Sequence, residues 1–433
     1  MIPVGWDEVA ALALGALERP PGVEAVGTIT GIRADSRVVG PGDLFVALNT
    51  GVDHVADAAA RGAATLVPDD QEVALAALAS LVRSKSDARV VAVVGSTGKT
   101  STKDILGALC SAATPTVWAE ASQNNEIGLP LTVCRLEPDT AVLVAEMGMR
   151  GLGQIEALCE IARPDVALVT SIGPEHLELV GTVARVAEAN AEAIAALPPG
   201  GIAIVPADAP ELNPHLGRTD IEIRRFDCNA IEGGGHDWRF ALAGGEIALR
   251  LPFTARHMAE NTLAALVAYE ALGLPLERAQ AGADAIVLSR WRGEETRLPG
   301  GGLVINDAYN ANPTSMRAAL LDLVARAGSR RRVAILGEMA ELGAESERYH
   351  VEIGRVVDEL GIELVITVGE AALLYSQAHG PPARVAILGV ADFDRVVGYL
   401  RSGDAILVKA SRSVGLEGIP ASIEKRARAW SES

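Results

Sequence analysis

An apolar run, Val90–Val94, leads into Gly95-Ser96-Thr97-Gly98-Lys99-Thr100-Ser101 and then into a helix-prone stretch. Glycines let backbone N–H groups approach phosphate oxygens, and a helix N-terminus adds positive potential there. Lys99 offers a compact cation for β- and γ-phosphates, and the Thr100 hydroxyl can ligate Mg²⁺. The pattern is GxxGKT, without the first glycine of the fuller GxxxxGK[ST] loop. Only five of the 38 basic residues are lysines, so arginine is the default cation. Lys99 and Lys409 nevertheless both fall at strand ends, which favours a specific need for an ammonium group. Two more strand ends carry ligand-type side chains. Ala141–Ala145 leads to Glu146, and Val166–Ile172 leads to Gly173-Pro174-Glu175-His176. The carboxyl ends of strands form the ligand crevice of an open α/β sheet. Lys99, Glu146 and His176 are therefore the candidate catalytic groups, and Thr100, Glu146 and His176 the candidate metal ligands. The β- and γ-phosphates of a nucleotide, with Mg²⁺, are the expected ligands.

The elements that must position these residues fall into three blocks. Residues 1–88 show short β-prone runs, Gly27–Ile32, Leu44–Leu48 and Ala64–Pro68, broken by the turn Gly40-Pro41-Gly42-Asp43, with a helix at Val55–Arg61. Residues 89–298 alternate short continuous apolar runs with helices such as Val183–Leu197. Strands of that kind are buried on both faces, so they predict a parallel sheet covered by helices. Gly233–Gly245 reads as a hairpin excursion, and a helix is expected over Ala259–Leu272. Residues 299–433 repeat the alternation and predict a smaller Rossmann-like sheet. The fold class is thus α/β in three domains: a small mixed domain, a central P-loop-type domain and a C-terminal Rossmann-like domain. Polar stretches near 83–89 and 293–300 read as hinged linkers.

Composition narrows the function. At 433 residues and about 100–200 residues per domain, two to four domains are expected. The net charge of −18 argues against a nonspecific nucleic-acid or anionic-membrane binder. Four scattered cysteines, Cys110, Cys134, Cys159 and Cys228, show no CxxC pairing and read as reduced thiols. The first twenty residues lack a basic leader, and no apolar run reaches the ~18 residues of a membrane span. A cytoplasmic protein without membrane insertion is expected.

Further segments carry a resemblance. Asp35-Ser36-Arg37, Pro41-Gly42-Asp43-Leu44-Phe45, Asn124-Asn125-Glu126-Ile127-Gly128, Arg256-His257…Asn261, Asp307-Ala308-Tyr309-Asn310-Ala311-Asn312-Pro313, Leu336-Gly337-Glu338-Met339…Glu341-Leu342-Gly343 and Lys409-Ala410-Ser411-Arg412 occur in one order along the chain. Together with the phosphate loop they resemble the Mur ligase family, and within it the MurF type. The resemblance implies an ATP-dependent ligase of peptidoglycan precursor synthesis, hence a part in cell shape and division. Its substrates would be UDP-N-acetylmuramoyl-tripeptide and D-alanyl-D-alanine, joined through an acyl phosphate. It implies ATP-binding roles for Gly95 to Ser101, Asn261, Arg292 and Asp307. It implies substrate-binding roles for Ser36, Asn124, Asn125, Tyr309, Asn310, Asn312, Lys409, Ser411 and Arg412. The sibling MurE type, which adds the third residue, and a turnover-deficient nucleotide-binding relative are the alternatives.

Two positions depart from the family pattern. Trp291 stands where a glycine usually precedes the nucleotide-contacting arginine, here Arg292. Asn190 falls where the family commonly carries a carbamylated lysine, and no lysine lies between Lys103 and Lys409. Its amide oxygen could face the metal site, directly or through water.

Overall fold

Burial on both faces is what the apolar runs of the middle block require, and the sheet supplies it. In the computed structural model, which describes residues 1–20, 27–376 and 383–430, six strands lie parallel. Their order is Glu222–Phe226, Ile202–Pro206, Val166–Val169, Arg89–Val94, Val142–Glu146 and Thr116–Trp118. Val90 to Val94 occupy a central strand and are fully buried. The first and last strands of that order were not expected from the sequence. Both are short or charged edge strands (EIRRF and TVW) without a continuous apolar run. The glycine-rich excursion is a three-stranded antiparallel sheet over Ile231–Gly234, Asp237–Leu242 and Gly245–Arg250.

The chain folds into two compact units. The first holds Met1–Thr170, Glu188–Pro252 and Asn261–Val287; the second holds Ser171–Ala187, Phe253–Glu260 and Leu288–Ser433. The N-terminal block belongs to the first unit. Its four-stranded sheet runs Gly15–Glu18, Ala64–Pro68, Asp43–Val46 and Gly31–Arg33. Its last helix, Gln71–Arg83, packs on Gly128–Val133 and Gln154–Ala162 of the middle block. Arg83 completes that junction by donating to the carbonyls of Ala162 (2.7 Å), Ser86 (2.7 Å) and Arg163 (3.3 Å). The polar stretch at 83–89 is therefore anchored inside one unit rather than a separating hinge.

The second unit is built on the sheet Glu294–Arg297, Leu303–Asn306, Ala405–Lys409, Arg332–Gly337, Leu364–Val368 and Ala383–Ile387. All neighbours are parallel except the first pair, which is antiparallel. This corrects the reading of 293–300 as a linker. Glu294–Arg297 is an edge strand whose charged, largely exposed residues carry no apolar signal, and Leu298 donates to the Gly302 carbonyl (2.8 Å) to close the hairpin. A boundary at 298 would cut that hairpin, and the divide lies near 288 instead. Among the described residues no helix is long and apolar enough to cross a membrane.

Candidate active site

The first unit gathers the phosphate loop and its neighbours. The strand Arg89–Val94 ends at Gly95 (φ +126°), and Gly98 (φ +89°) precedes the helix Lys99–Ser111. Gly98 is required twice over. Its backbone is left-handed, and a Cβ there would lie 2.4 Å from Asn261 Oδ1. That contact places Asn261 against the loop. Lys99 Nζ donates to the Gly95 carbonyl, so its ammonium lies over the loop. From the first turn of the helix, Thr100 Oγ1 donates to Glu146 Oε1 (2.9 Å) and lies 2.9 Å from Ser122 Oγ. Asn124 Nδ2 donates to the same carboxylate oxygen (2.8 Å). Glu146 is almost fully buried, and its second oxygen, Oε2, has no hydrogen-bond partner among the described residues.

A buried carboxylate oxygen without a donor is costly unless something positive meets it. A divalent ion with hard-oxygen preference fits that place, with the Thr100 hydroxyl beside it. Among the described residues no three His, Cys, Asp or Glu side chains cluster as a metal cage. The donors present suit an ion that keeps waters and phosphate oxygens, as Mg²⁺ does.

Other expected residues of this unit have local contacts of their own. Asn125 Oδ1 accepts from the Gly128 N–H (3.0 Å) and starts the helix Gly128–Val133. Ser36 is buried in a turn beside Asp35, whose carboxyl is held at about 2 by the Arg37 guanidinium bonded to it. Asn190 is 1% exposed, and its Oδ1 accepts from the Gly95 N–H at 2.6 Å. Its amide oxygen thus holds the first glycine of the phosphate loop. Glu192, farther along the same helix, accepts from the N–H groups of Gly153 (2.6 Å) and Glu156 (3.0 Å) at the start of Gln154–Ala162.

The second unit gathers the remaining motifs. Lys409, at the end of Ala405–Lys409 and 2% exposed, donates to Asp307 Oδ2 (2.6 Å) and the Asn310 carbonyl (2.9 Å). Asn312 caps the helix Pro313–Ala327 by accepting from the Ser315 N–H (2.8 Å), with Pro313 at its first position. Ser411 accepts from the Ala340 N–H (2.8 Å). The Arg292 guanidinium lies 4.1 Å from the Tyr309 ring centroid and that of Arg412 lies 4.2 Å from Trp291. Trp291 has φ +61°, a left-handed backbone that a glycine would adopt without strain. Burial pushes the His257 imidazole below its ordinary range, against the pull of the Asp322 and Asp307 carboxylates. His176 Nδ1 pairs with Glu341 Oε2.

Sequence reasoning missed several of these supports. Lys103 is fully buried, donates to the carbonyls of Ala119 (2.7 Å) and Ala121 (2.8 Å), and pairs with Asp104 (2.5 Å). Thr170 Oγ1 donates to the Thr97 carbonyl (2.7 Å) and steadies the phosphate loop from the neighbouring strand end. The scarcity of lysine points at Lys103, but nothing in its spacing separates a structural ammonium from a ligand-binding one.

A phosphate loop on a parallel sheet, with a second α/β unit bearing the Asp307–Pro313 and Lys409–Arg412 motifs, defines a Mur-type ligase. Residues 93–269 match the Mur ligase middle domain, and residues 291–412 match the Mur ligase, glutamate ligase domain. The UDP-N-acetylmuramoyl-tripeptide–D-alanyl-D-alanine ligase of Escherichia coli is 33% identical, over 92% of this chain and 94% of its own. The Bacillus subtilis protein of that name is 32% identical, over 97% and 98%. MurF from Acinetobacter baumannii superposes with a TM-score of 0.85 at 27% identity, covering 98% of this chain and 99% of that one. MurF from Thermotoga maritima, solved in complex with ADP, gives 0.78 at 25% identity over 92% and 98%. The chain belongs to the Mur ligase family, in the MurF branch that carries the tripeptide–D-alanyl-D-alanine ligase name.

Proposed function

We propose that this chain joins D-alanyl-D-alanine to UDP-N-acetylmuramoyl-tripeptide at the expense of ATP, in the cytoplasm, as a step of peptidoglycan precursor synthesis that serves cell shape and division. The observation that carries the chemistry is the Thr100–Glu146 pair at the phosphate loop, with Glu146 Oε2 buried and unpaired. Family membership and the names of its relatives supply the substrates.

A carboxylate is a poor electrophile, so the reaction must supply a leaving group. The terminal carboxylate of the tripeptide attacks the γ-phosphorus of ATP, forming an acyl phosphate and releasing ADP. The dipeptide amine then adds to the acyl carbon, loses a proton, and the tetrahedral intermediate expels phosphate. Positioning and charge stabilisation dominate such a sequence. Backbone N–H groups from Ser96 to Thr100 and the Lys99 ammonium would bind the phosphates. Thr100 and Glu146 would hold Mg²⁺, which supplies charge neutralisation on the phosphates when bound. His176 would serve as a further ligand or proton acceptor. Asn261, Arg292 and Asp307 would contact adenosine, and Tyr309, Asn310, Lys409 and Arg412 would approach the peptide substrates.

The direct test is phosphate release by the purified protein with ATP, Mg²⁺ and the tripeptide nucleotide. The proposal expects release to require D-alanyl-D-alanine and to match its incorporation mole for mole. Release that instead requires a free amino acid and the dipeptide nucleotide would assign the MurE-type step. No release with either set would leave a nucleotide-binding relative without turnover.

A further inference from the structure

Besides Trp291, two non-glycine residues described in the second unit adopt left-handed backbone: His176 at φ +51° and Glu341 at φ +62°. Such backbone is disfavoured for any side chain with a Cβ, and it persists where the surroundings over-determine it. The two residues meet. His176 Nδ1 pairs with Glu341 Oε2, and the Glu178 N–H donates to the Glu341 carbonyl (3.0 Å). Gly343 lies so near that a Cβ on it would sit 3.0 Å from Glu178 Cα.

The loop that bears Glu341 is itself fixed from behind. Met339 N–H donates to Nε2 of His350 (3.0 Å), so the proton of that fully buried ring sits on Nδ1 and goes to the Ser346 carbonyl (2.7 Å). The fully buried Tyr375 donates its hydroxyl to the Gly337 carbonyl (2.9 Å) and packs against the His350 ring, centroid to centroid at 5.0 Å. Ala340 N–H donates to Ser411 Oγ. Glu341 is thus a carboxylate on a rigid mount, one-third exposed, with Oε2 on Nδ1 of His176. On the other side of that ring, Glu175 Oε2 lies 3.9 Å from Nε2.

We propose that Glu341 is a positioning residue for His176. Its carboxylate accepts the Nδ1 proton, which fixes the ring plane and leaves the lone pair on Nε2. A histidine that donates from one nitrogen to a carboxylate is a better base or ligand at the other. The kinetic half of this proposal rests on the reading above that His176 serves the reaction; the tautomer half does not.

The experiment is long-range proton–nitrogen correlation on the full chain labelled with ¹⁵N-histidine, without ligands, at about pH 8.5, above the ordinary imidazole range. His176→Gln identifies the signal among seven histidines. Wild type should show Nδ1–H. Glu341→Gln keeps an acceptor oxygen at the same reach and should keep that tautomer. Glu341→Asn tolerates the left-handed backbone but is too short, and should release the ring to the Nε2–H form. In turnover, Glu341→Asn should lower kcat about 10–100-fold with the KM for ATP nearly unchanged, and Glu341→Gln should recover most of it. An Nε2–H ring in wild type, or a tautomer that Glu341→Asn does not move, overturns the proposal. A tautomer that follows Glu341 while His176→Gln retains full turnover supports the tether and overturns the role given to His176.

Discussion

Lys99 and Lys409 look alike in the sequence, each a rare lysine at a strand end, yet the structure treats them differently. Lys99 is half-buried and donates to the carbonyls of its own loop, Gly95 and Ser96. Both carbonyls belong to the loop that would meet the phosphates. Lys409 is 2% exposed and paired with the Asp307 carboxylate and the Asn310 carbonyl. That pairing holds the Asp307–Pro313 turn to the strand Ala405–Lys409. A phosphate loop is mostly backbone shape, open to a ligand. The second motif is a set of side chains satisfied by one another, so its residues reach a substrate through the faces their pairs leave exposed.

Three substitutions and two reagents probe this difference. Removing Lys99 (Lys99→Ala) should cost on the order of a thousandfold in kcat, with the circular dichroism of wild type kept, because the transferred phosphate loses its cation. Lys409→Met should reverse the balance between stability and turnover. It strands a carboxylate, so the protein should lose about 3 kcal/mol of stability, read as a melting temperature lower by several degrees. A Lys409→Met protein as stable as wild type would make the two lysines equivalent after all. Asn190→Leu removes the acceptor from the Gly95 N–H, and the KM for ATP should rise roughly tenfold with circular dichroism unchanged. For the same reason turnover of the degassed wild-type protein should not respond to added bicarbonate; a clear rescue would mean that a carbamate forms. The smallest effect concerns the scaffold of the loop. Burial pushes the thiols of Cys110, Cys134 and Cys159 up to about 12, and Cys110 lies on the phosphate-loop helix. At pH 8 a thiol reagent should therefore modify no more than one cysteine, Cys228, until the protein is unfolded. Rapid labelling of Cys110 would show a looser helix than the structure implies.

The phosphate loop is legible in the sequence because its chemistry is local: glycines, a lysine and a hydroxyl within one turn. The parallel sheets are legible for a similar reason, since doubly buried strands leave continuous apolar runs. What stays hidden depends on partners far along the chain. Asn190 reads as an oxygen that could face the metal site, and its contact with Gly95, 95 residues away, leaves no trace in the sequence. Glu341 reads as part of a loop motif until it meets His176. Asn312 and Ser411 carry polar side chains that suit a substrate, and the structure uses them for a helix cap and a loop tie. The edge strand Glu294–Arg297 reads as a linker because edge strands need no apolar face.

The central claim is that Glu146 Oε2, buried and unpaired, is held ready for the cation that accompanies the nucleotide. The direct measurement is calorimetric binding of ADP to wild type and to Glu146→Gln, each with Mg²⁺ and with chelator. Glutamine keeps the oxygen that Thr100 and Asn124 bond and removes the charge. The account predicts that Mg²⁺ strengthens ADP binding to wild type and that most of this gain vanishes in Glu146→Gln, while binding in chelator stays the same. An equal Mg²⁺ gain in both proteins would contradict it.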